Sequence, residues 1–206
     1  ILYQTASFLA GAWAFFLALE SLSRSTPNAW VVAAVVAGYL LGNSWLMKKI
    51  RGTLTVLQWE LGPAIFATAG SFLLGVVLAD RWDDQALIWA WTLTGVTLTF
   101  ALRWHRLPEL AVGAQGFLAG VGALLFLTLF RDGVTWSTGL PGLGGALLLM
   151  HWWQRQTTMS RLAGRFFEAF DAFVFCAMLM MWLAPGGNQA GDMILLTGVG
   201  LAVLTY

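Results

Sequence analysis

Between Ala86 and Phe130 two apolar runs are joined by seven residues, Arg103, Trp104, His105, Arg106, Leu107, Pro108 and Glu109. At 1.5 Å rise per residue, a helix from Leu110 to Phe130 is about 30 Å long, the thickness of a bilayer's hydrocarbon core. The pair reads as a transmembrane hairpin. Its basic connector orients the rest of the chain, because Lys and Arg flanking membrane helices stay on the cytoplasmic side.

The same pattern recurs along all 206 residues. Apolar segments fall at about 3–22, 29–47, 61–79, 86–102, 110–130, 140–153, 167–184 and 192–206. Hydrophobic residues make up 59% of the chain and charged ones 10%, against roughly 45–50% and about 25% in a soluble domain. A single soluble core has no room for that much apolar surface, whereas a bilayer removes the need to hide it. The expected fold is therefore all-α: one polytopic membrane bundle over 1–206, with about eight transmembrane helices arranged as consecutive antiparallel hairpins. The chain opens on Ile1 and stops at Tyr206 inside an apolar run, which reads as a fragment of a longer polypeptide.

Proline and tryptophan support these boundaries. Pro27, Pro63, Pro108, Pro141 and Pro185 all fall at proposed segment ends, where a missing N–H costs least. Trp30, Trp45, Trp59, Trp82, Trp104, Trp136, Trp152, Trp153 and Trp182 sit near segment ends, at the depth amphipathic rings prefer. Trp13, Trp89 and Trp91 lie deeper and read as lipid-facing or interhelix contacts.

Charge alternates from one connector to the next. The connectors after the second, fourth and sixth segments carry Lys48, Lys49, Arg51, Arg103, Arg106, Arg155, Arg161 and Arg165; the others carry only Arg24, Arg81 and Arg131. This asymmetry puts the first set in the cytoplasm and the N-terminal end outside, as in a bacterial inner-membrane protein. Short outer connectors predict that each odd-numbered helix pairs with the next. A formal net charge of +1 supplies no field to recruit nucleic acid. The expected partners are membrane lipids and either other membrane subunits or further copies of the chain.

Small residues mark expected close approaches between helices. Gly38 and Gly42 are spaced GxxxG, as are Gly116 and Gly120, with Gly113 and Ala123 on the same face; Ala67, Ser71 and Gly75 recur every four residues. Thr157 to Phe167 places Arg161 and Arg165 one turn apart, with Met159, Leu162 and Phe166 opposite. That pattern predicts an amphipathic segment lying on the cytoplasmic membrane surface.

Catalytic chemistry finds no support. His105 and His151 read as interfacial residues, not as ligands of one metal or haem. The Asp80, Asp83, Asp84 cluster is interrupted by Arg81 and reads as a solvated loop. No serine sits in a Gly-x-Ser-x-Gly turn, Gly142, Gly144 and Gly145 lack the Lys of a phosphate loop, and Cys176 stands alone. Glu20, four residues before Arg24, has the favourable order for a helical ion pair. No cofactor or metal is expected, and the balance is against an enzyme.

One carboxylate stands apart. Counting back from Pro185 puts Asp171 roughly 20 Å below the outer surface, inside the hydrocarbon. Intramembrane carboxylates usually face the bundle interior and mark ion or substrate paths, unless they serve as polar glue between helices. Glu168 and Arg165 continue a charged line from Asp171 toward the cytoplasm, and Asn43, Ser44 and Gln115 lie at comparable depth. Together they outline a candidate polar pocket in the cytoplasmic third of the bundle, with His151 at its mouth. The leading functional expectation is a structural or assembly subunit of a membrane complex; the alternative is a transporter-like protein moving a small solute or lipid through that pocket.

Overall fold

The computed structural model describes residues 2–24, 28–52, 60–131, 135–157 and 159–183. Among them are seven helices and no strand: α1 (Leu2–Ser23), α2 (Ala29–Arg51), α3 (Leu61–Arg81), α4 (Asp84–His105), α5 (Leu110–Arg131), α6 (Trp136–Arg155) and α7 (Arg161–Trp182). Helices α1 to α5 are long and apolar enough to cross a membrane. Helices α6 and α7 match them in length, at 20 and 22 residues, but carry more polar groups. The expected count of about eight spans therefore stands at five by length and composition; the segment at 192–206 lies outside the described residues.

Helix α1 packs on α2 as expected, but the other helices pair differently. The extensive contacts join α2 to α3, α4 to α5 and α6 to α7, while α3 and α4, and α5 and α6, share little. Hairpins therefore close through the basic connectors, not through the short acidic ones. The reason lies in which faces fit. A Cβ on Gly70 of α3 would stand 3.1 Å from the Ala37 carbonyl oxygen of α2, and one on Gly95 of α4 would stand 3.1 Å from the Ala114 carbonyl oxygen of α5. Backbones this close need a residue without a side chain. Between α6 and α7, Gly139 receives the Trp182 ring and Gly142 the Met178 sulfur.

Helix α5 is the hub, touching α3, α4, α6 and α7. Its Leu118, Val121 and Leu125 join Leu143, Ala146 and Leu149 of α6 and Val174, Phe175 and Met178 of α7 in the main core. A smaller core of Ala18, Ala33, Ala37, Leu73 and Val77 holds α1, α2 and α3 together. Outside these cores, Leu9, Trp13, Phe16, Val35, Phe72, Leu93, Leu127, Phe173 and Met180 are exposed. Such an apolar exterior suits a lipid solvent.

Two boundaries differ from the sequence reading. Helix α6 begins at Trp136, so Pro141 falls inside it and leaves the Ser137 carbonyl without its helical donor. The Trp89 indole of α4 supplies one, donating to the Ser137 oxygen at 3.1 Å. Trp89 is thus an interhelix contact with a defined partner, and Trp91 likewise donates to the Gly75 oxygen at 3.2 Å. Trp89→Phe keeps the ring and removes the donor; thermal unfolding in detergent is expected to show a loss of about 1 kcal/mol. The second difference is at α7. Of the amphipathic stretch Thr157 to Phe167, the part from Arg161 on forms the first turns of α7, started by Ser160, whose hydroxyl accepts from the Ala163 N–H at 3.3 Å.

The glycines expected at helix contacts divide. Gly113 sits against the Ser71 hydroxyl and Gly120 against the Trp91 ring, and Gly75 lies against Phe117. Gly38, Gly42 and Gly116 have no neighbour within 4 Å of a built Cβ, so this bundle leaves them on its outer surface. Of the other local expectations, Glu20 pairs with Arg24. Asp83 caps α4, its Oδ1 accepting from the Ala86 N–H at 2.9 Å.

Candidate functional site

Asp171 reaches the bundle interior through a simple repeat. The buried residues of α7 are Gly164, Phe167, Asp171, Val174, Phe175, Met178 and Trp182, a stripe at steps of three and four that faces the neighbouring helices. Asp171 occupies one of its central positions and is fully buried. Two hydrogen-bonding side chains turn toward it, Gln115 from α5 and the indole of Trp153 from α6. Both contacts are looser than a well-formed hydrogen bond. Both carboxylate oxygens of Asp171, both polar atoms of Gln115 and the Trp153 Nε1 are buried without a partner at hydrogen-bonding geometry.

The Trp153 ring is held firmly. It stacks on Phe167 with centroids 4.8 Å apart and meets Trp152 edge-on at 4.8 Å. One edge thus points at Asp171 while the ring also lines a groove between the end of α6 and the start of α7. This side chain separates a surface groove from a buried acid. Sequence alone places Trp153 near a segment end, at interfacial depth; its position three residues before Gln156, at the exit of α6, carries no signal of what its N–H faces.

The remaining candidate residues are not gathered around Asp171. Ser44 donates to the Pro63 carbonyl oxygen at 2.8 Å, between α2 and α3. Asn43 is buried on α2 with its amide nitrogen unpartnered. Glu168 is tied to Gln154 of α6, whose Nε2 donates to Glu168 Oε1 at 2.8 Å. Arg165 lines the α6/α7 groove, and His151 is exposed on α6 beside Phe100, Arg103 and Arg155. Of the seven residues expected to form one pocket, the structure brings Asp171 and Gln115 together, sets Arg165 and Glu168 on the α6/α7 groove, and places Asn43, Ser44 and His151 elsewhere.

A second charged centre was not anticipated. Lys48 near the end of α2 and Glu109 just before α5 form an ion pair at 2.8 Å, both side chains fully buried. Glu109 Oε1 also accepts from the Glu60 N–H at 2.9 Å, and Glu60 is paired with Arg51 at 3.0 Å. The connector after α4 therefore turns inward. Arg106 takes a left-handed conformation (φ 49°), after which Leu107, Pro108 and Glu109 are all buried. A signal was present in the repeat Ala33, Ala37, Leu40, Ser44, Lys48, which places Lys48 on the buried face of α2. The centre ties together the start of α3, the start of α5 and the end of α2.

Compared with protein-family models, with curated proteins and with solved structures, this chain matches none.

Proposed function

We propose that this chain is a transporter-like multi-pass protein of a bacterial inner membrane, in which Asp171, Gln115 and Trp153 form the binding site for a small solute. In this reading α6 and α7 cross the membrane with the other five helices, the basic connectors are cytoplasmic, the Leu2 end of α1 is outside, and the site lies in the cytoplasmic third. The exposed Phe173 and Met180 on the outer side of α7 support its contact with lipid.

The observation that carries the reading is the convergence of unspent polar groups. Polar glue is stabilising only when its hydrogen bonds are made, and a buried polar atom without a partner costs about 1–3 kcal/mol. Asp171, Gln115 and Trp153 come from three different helices, face one another, and leave five such atoms unpartnered. Two carboxylate oxygens and one amide oxygen make a set of acceptors suited to a small cation or a solute with N–H or O–H donors.

The test is a thermal-shift series on the purified protein in detergent with sodium, potassium, lithium and ammonium chlorides at matched ionic strength. A concentration-dependent rise in melting temperature with one of these cations, absent in Asp171→Asn and in Gln115→Leu, supports the site. The glue reading expects otherwise: both variants melt lower, and no salt distinguishes them from the parent. That outcome would reject the proposal.

A second reading, a subunit of a membrane complex, draws on a different place. An apolar groove of about 490 Å³ runs along α3, α4 and α5, lined by Phe72, Gly75, Trp91, Gly116, Phe117 and Gly120. Open Gly116 at its floor gives a partner helix room to approach closely.

A further inference from the structure

We propose that the groove between the end of α6 and the start of α7 is a binding site for the phosphate headgroup of an anionic membrane lipid. The groove, about 730 Å³, is lined by Arg155, Arg161 and Arg165 together with Gln154, Gln156 and Glu168. No ion pair involves any of the three arginines among the described residues. The one carboxylate nearby, Glu168, is half-buried and held by Gln154. Three guanidinium groups against the single Glu168 carboxylate leave the groove net positive, and planar guanidinium forks fit phosphate oxygens.

The groove's shape is set from within. Gln156 Oε1 accepts from the Met159 N–H at 2.9 Å, and its amide lies over Gly164, where a Cβ would stand 2.6 Å from Nε2. This folds the connector back over the first turn of α7. Ser160 caps that turn, so the positive end of a 22-residue helix adds to the field of the arginines.

What selects a lipid over a free phosphate is the apolar face of α7 next to the groove, roughly a third of a turn round the helix from its lining residues. Leu162 and Phe166 are 83% and 66% exposed, and Phe173 and Met180 are 71% and 75% exposed. Phe166, Phe173 and Met180 are spaced by seven residues, so they share one outward face of α7. From Phe166 to Met180 the helix rises about 21 Å, more than the roughly 15 Å of one leaflet's hydrocarbon. Arg165 immediately precedes Phe166 on α7, so an acyl chain on that face brings its headgroup within reach of the long Arg161 and Arg165 side chains. The inference rests on membrane insertion with the basic connectors at the cytoplasmic surface, and is independent of any role for Asp171.

Native mass spectrometry and thermal shift of the purified protein, titrated with phosphatidylglycerol, phosphatidylcholine or inorganic phosphate, test it. Phosphatidylglycerol is expected to bind and to raise the melting temperature; phosphatidylcholine and inorganic phosphate are not. The double variant Arg161→Gln/Arg165→Gln is expected to weaken phosphatidylglycerol binding by about 30-fold, roughly fivefold per charge. Arg103→Gln/Arg106→Gln removes the same charge from another basic connector and is expected to bind as the parent does. Three outcomes would overturn the proposal: equal binding by the Arg161/Arg165 variant, equal loss in the Arg103/Arg106 control, or a comparable response to inorganic phosphate, which would mark a free-anion site. Unliganded melting temperatures of both variants report folding separately from binding.

Discussion

Glu109→Leu is expected to destabilise the protein by about 3–5 kcal/mol, because it leaves the buried Lys48 ammonium without the carboxylate that sits 2.8 Å away. Lys48→Met is expected to cost a similar amount for the converse reason. The pair's value lies in mutual cancellation: each charge was removed from water at a cost of several kcal/mol that the other largely offsets. The double variant Lys48→Met/Glu109→Leu should therefore recover most of the loss, since two apolar side chains of similar volume need no partner. It should still fall short by about 1 kcal/mol, because the Glu60 N–H no longer has Glu109 Oε1 as acceptor. Thermal unfolding of the four proteins in one detergent closes the double-mutant cycle. Single variants that melt with the parent would show that the two side chains are solvated and that the pair does not tie α2 to α5.

That ion pair shows why some of the molecule was legible in the sequence and some was not. Membrane-length helices announce themselves by hydropathy alone, and α1 to α5 fall close to the expected segments. Charge counting gave a different kind of information. It treats Lys48 and Arg103 alike as basic connector residues, yet Lys48 is fully buried and Arg103 is exposed. Only the repeat on α2, continued through Ser44 to Lys48, separates them. Asp171 was easier to find, since a carboxylate deep in an apolar run is costly wherever it points. Its neighbours were harder: depth along a helix ranks Asn43, Ser44 and Gln115 together, but it does not say which helices adjoin. Helix α5 adjoins α7, so Gln115 reaches Asp171, while Ser44 is spent on the Pro63 carbonyl.

Connector length misled in a similar way. The short links after α3 and α5 suggested that α3 pairs with α4 and α5 with α6, but a short link only keeps two helix ends near each other. The extent of contact depends on matching surfaces along the whole length, and those surfaces are built from Gly70, Gly95, Gly139 and Gly142. None of these four is marked as a helix contact by the sequence, because the GxxxG spacing points to Gly38, Gly42, Gly116 and Gly120 instead. Pro141 is the remaining exception, a helix-interior proline made tolerable by an indole from the neighbouring helix.

The same glycines give the sharpest contrast to measure. Gly70→Leu is expected to lower stability by about 3 kcal/mol or more, at the upper end of overpacking effects, because its first side-chain atom already meets the Leu41 Cγ at 2.9 Å, the Ala37 carbonyl oxygen at 3.1 Å and the Leu40 Cβ at 3.2 Å. The carbonyl belongs to the α2 backbone and has no rotamer to yield, so α2 and α3 must separate. Gly38→Leu places the same side chain where nothing lies within 4 Å. Replacing a helical glycine there removes a conformational cost, so stability should hold or rise by up to about 1 kcal/mol. Gly116→Leu should likewise leave the unfolding of the single chain intact while filling the floor of the α3/α4/α5 groove. Unfolding temperature and native mass, read on the three variants together, separate contacts within the chain from contacts between chains. If Gly70→Leu melts with the parent, or Gly38→Leu falls with it, the observed pairing of α2 with α3 is wrong. A loss of oligomer mass in Gly116→Leu at unchanged melting temperature marks the groove as a subunit contact, and an unchanged mass leaves it to lipid.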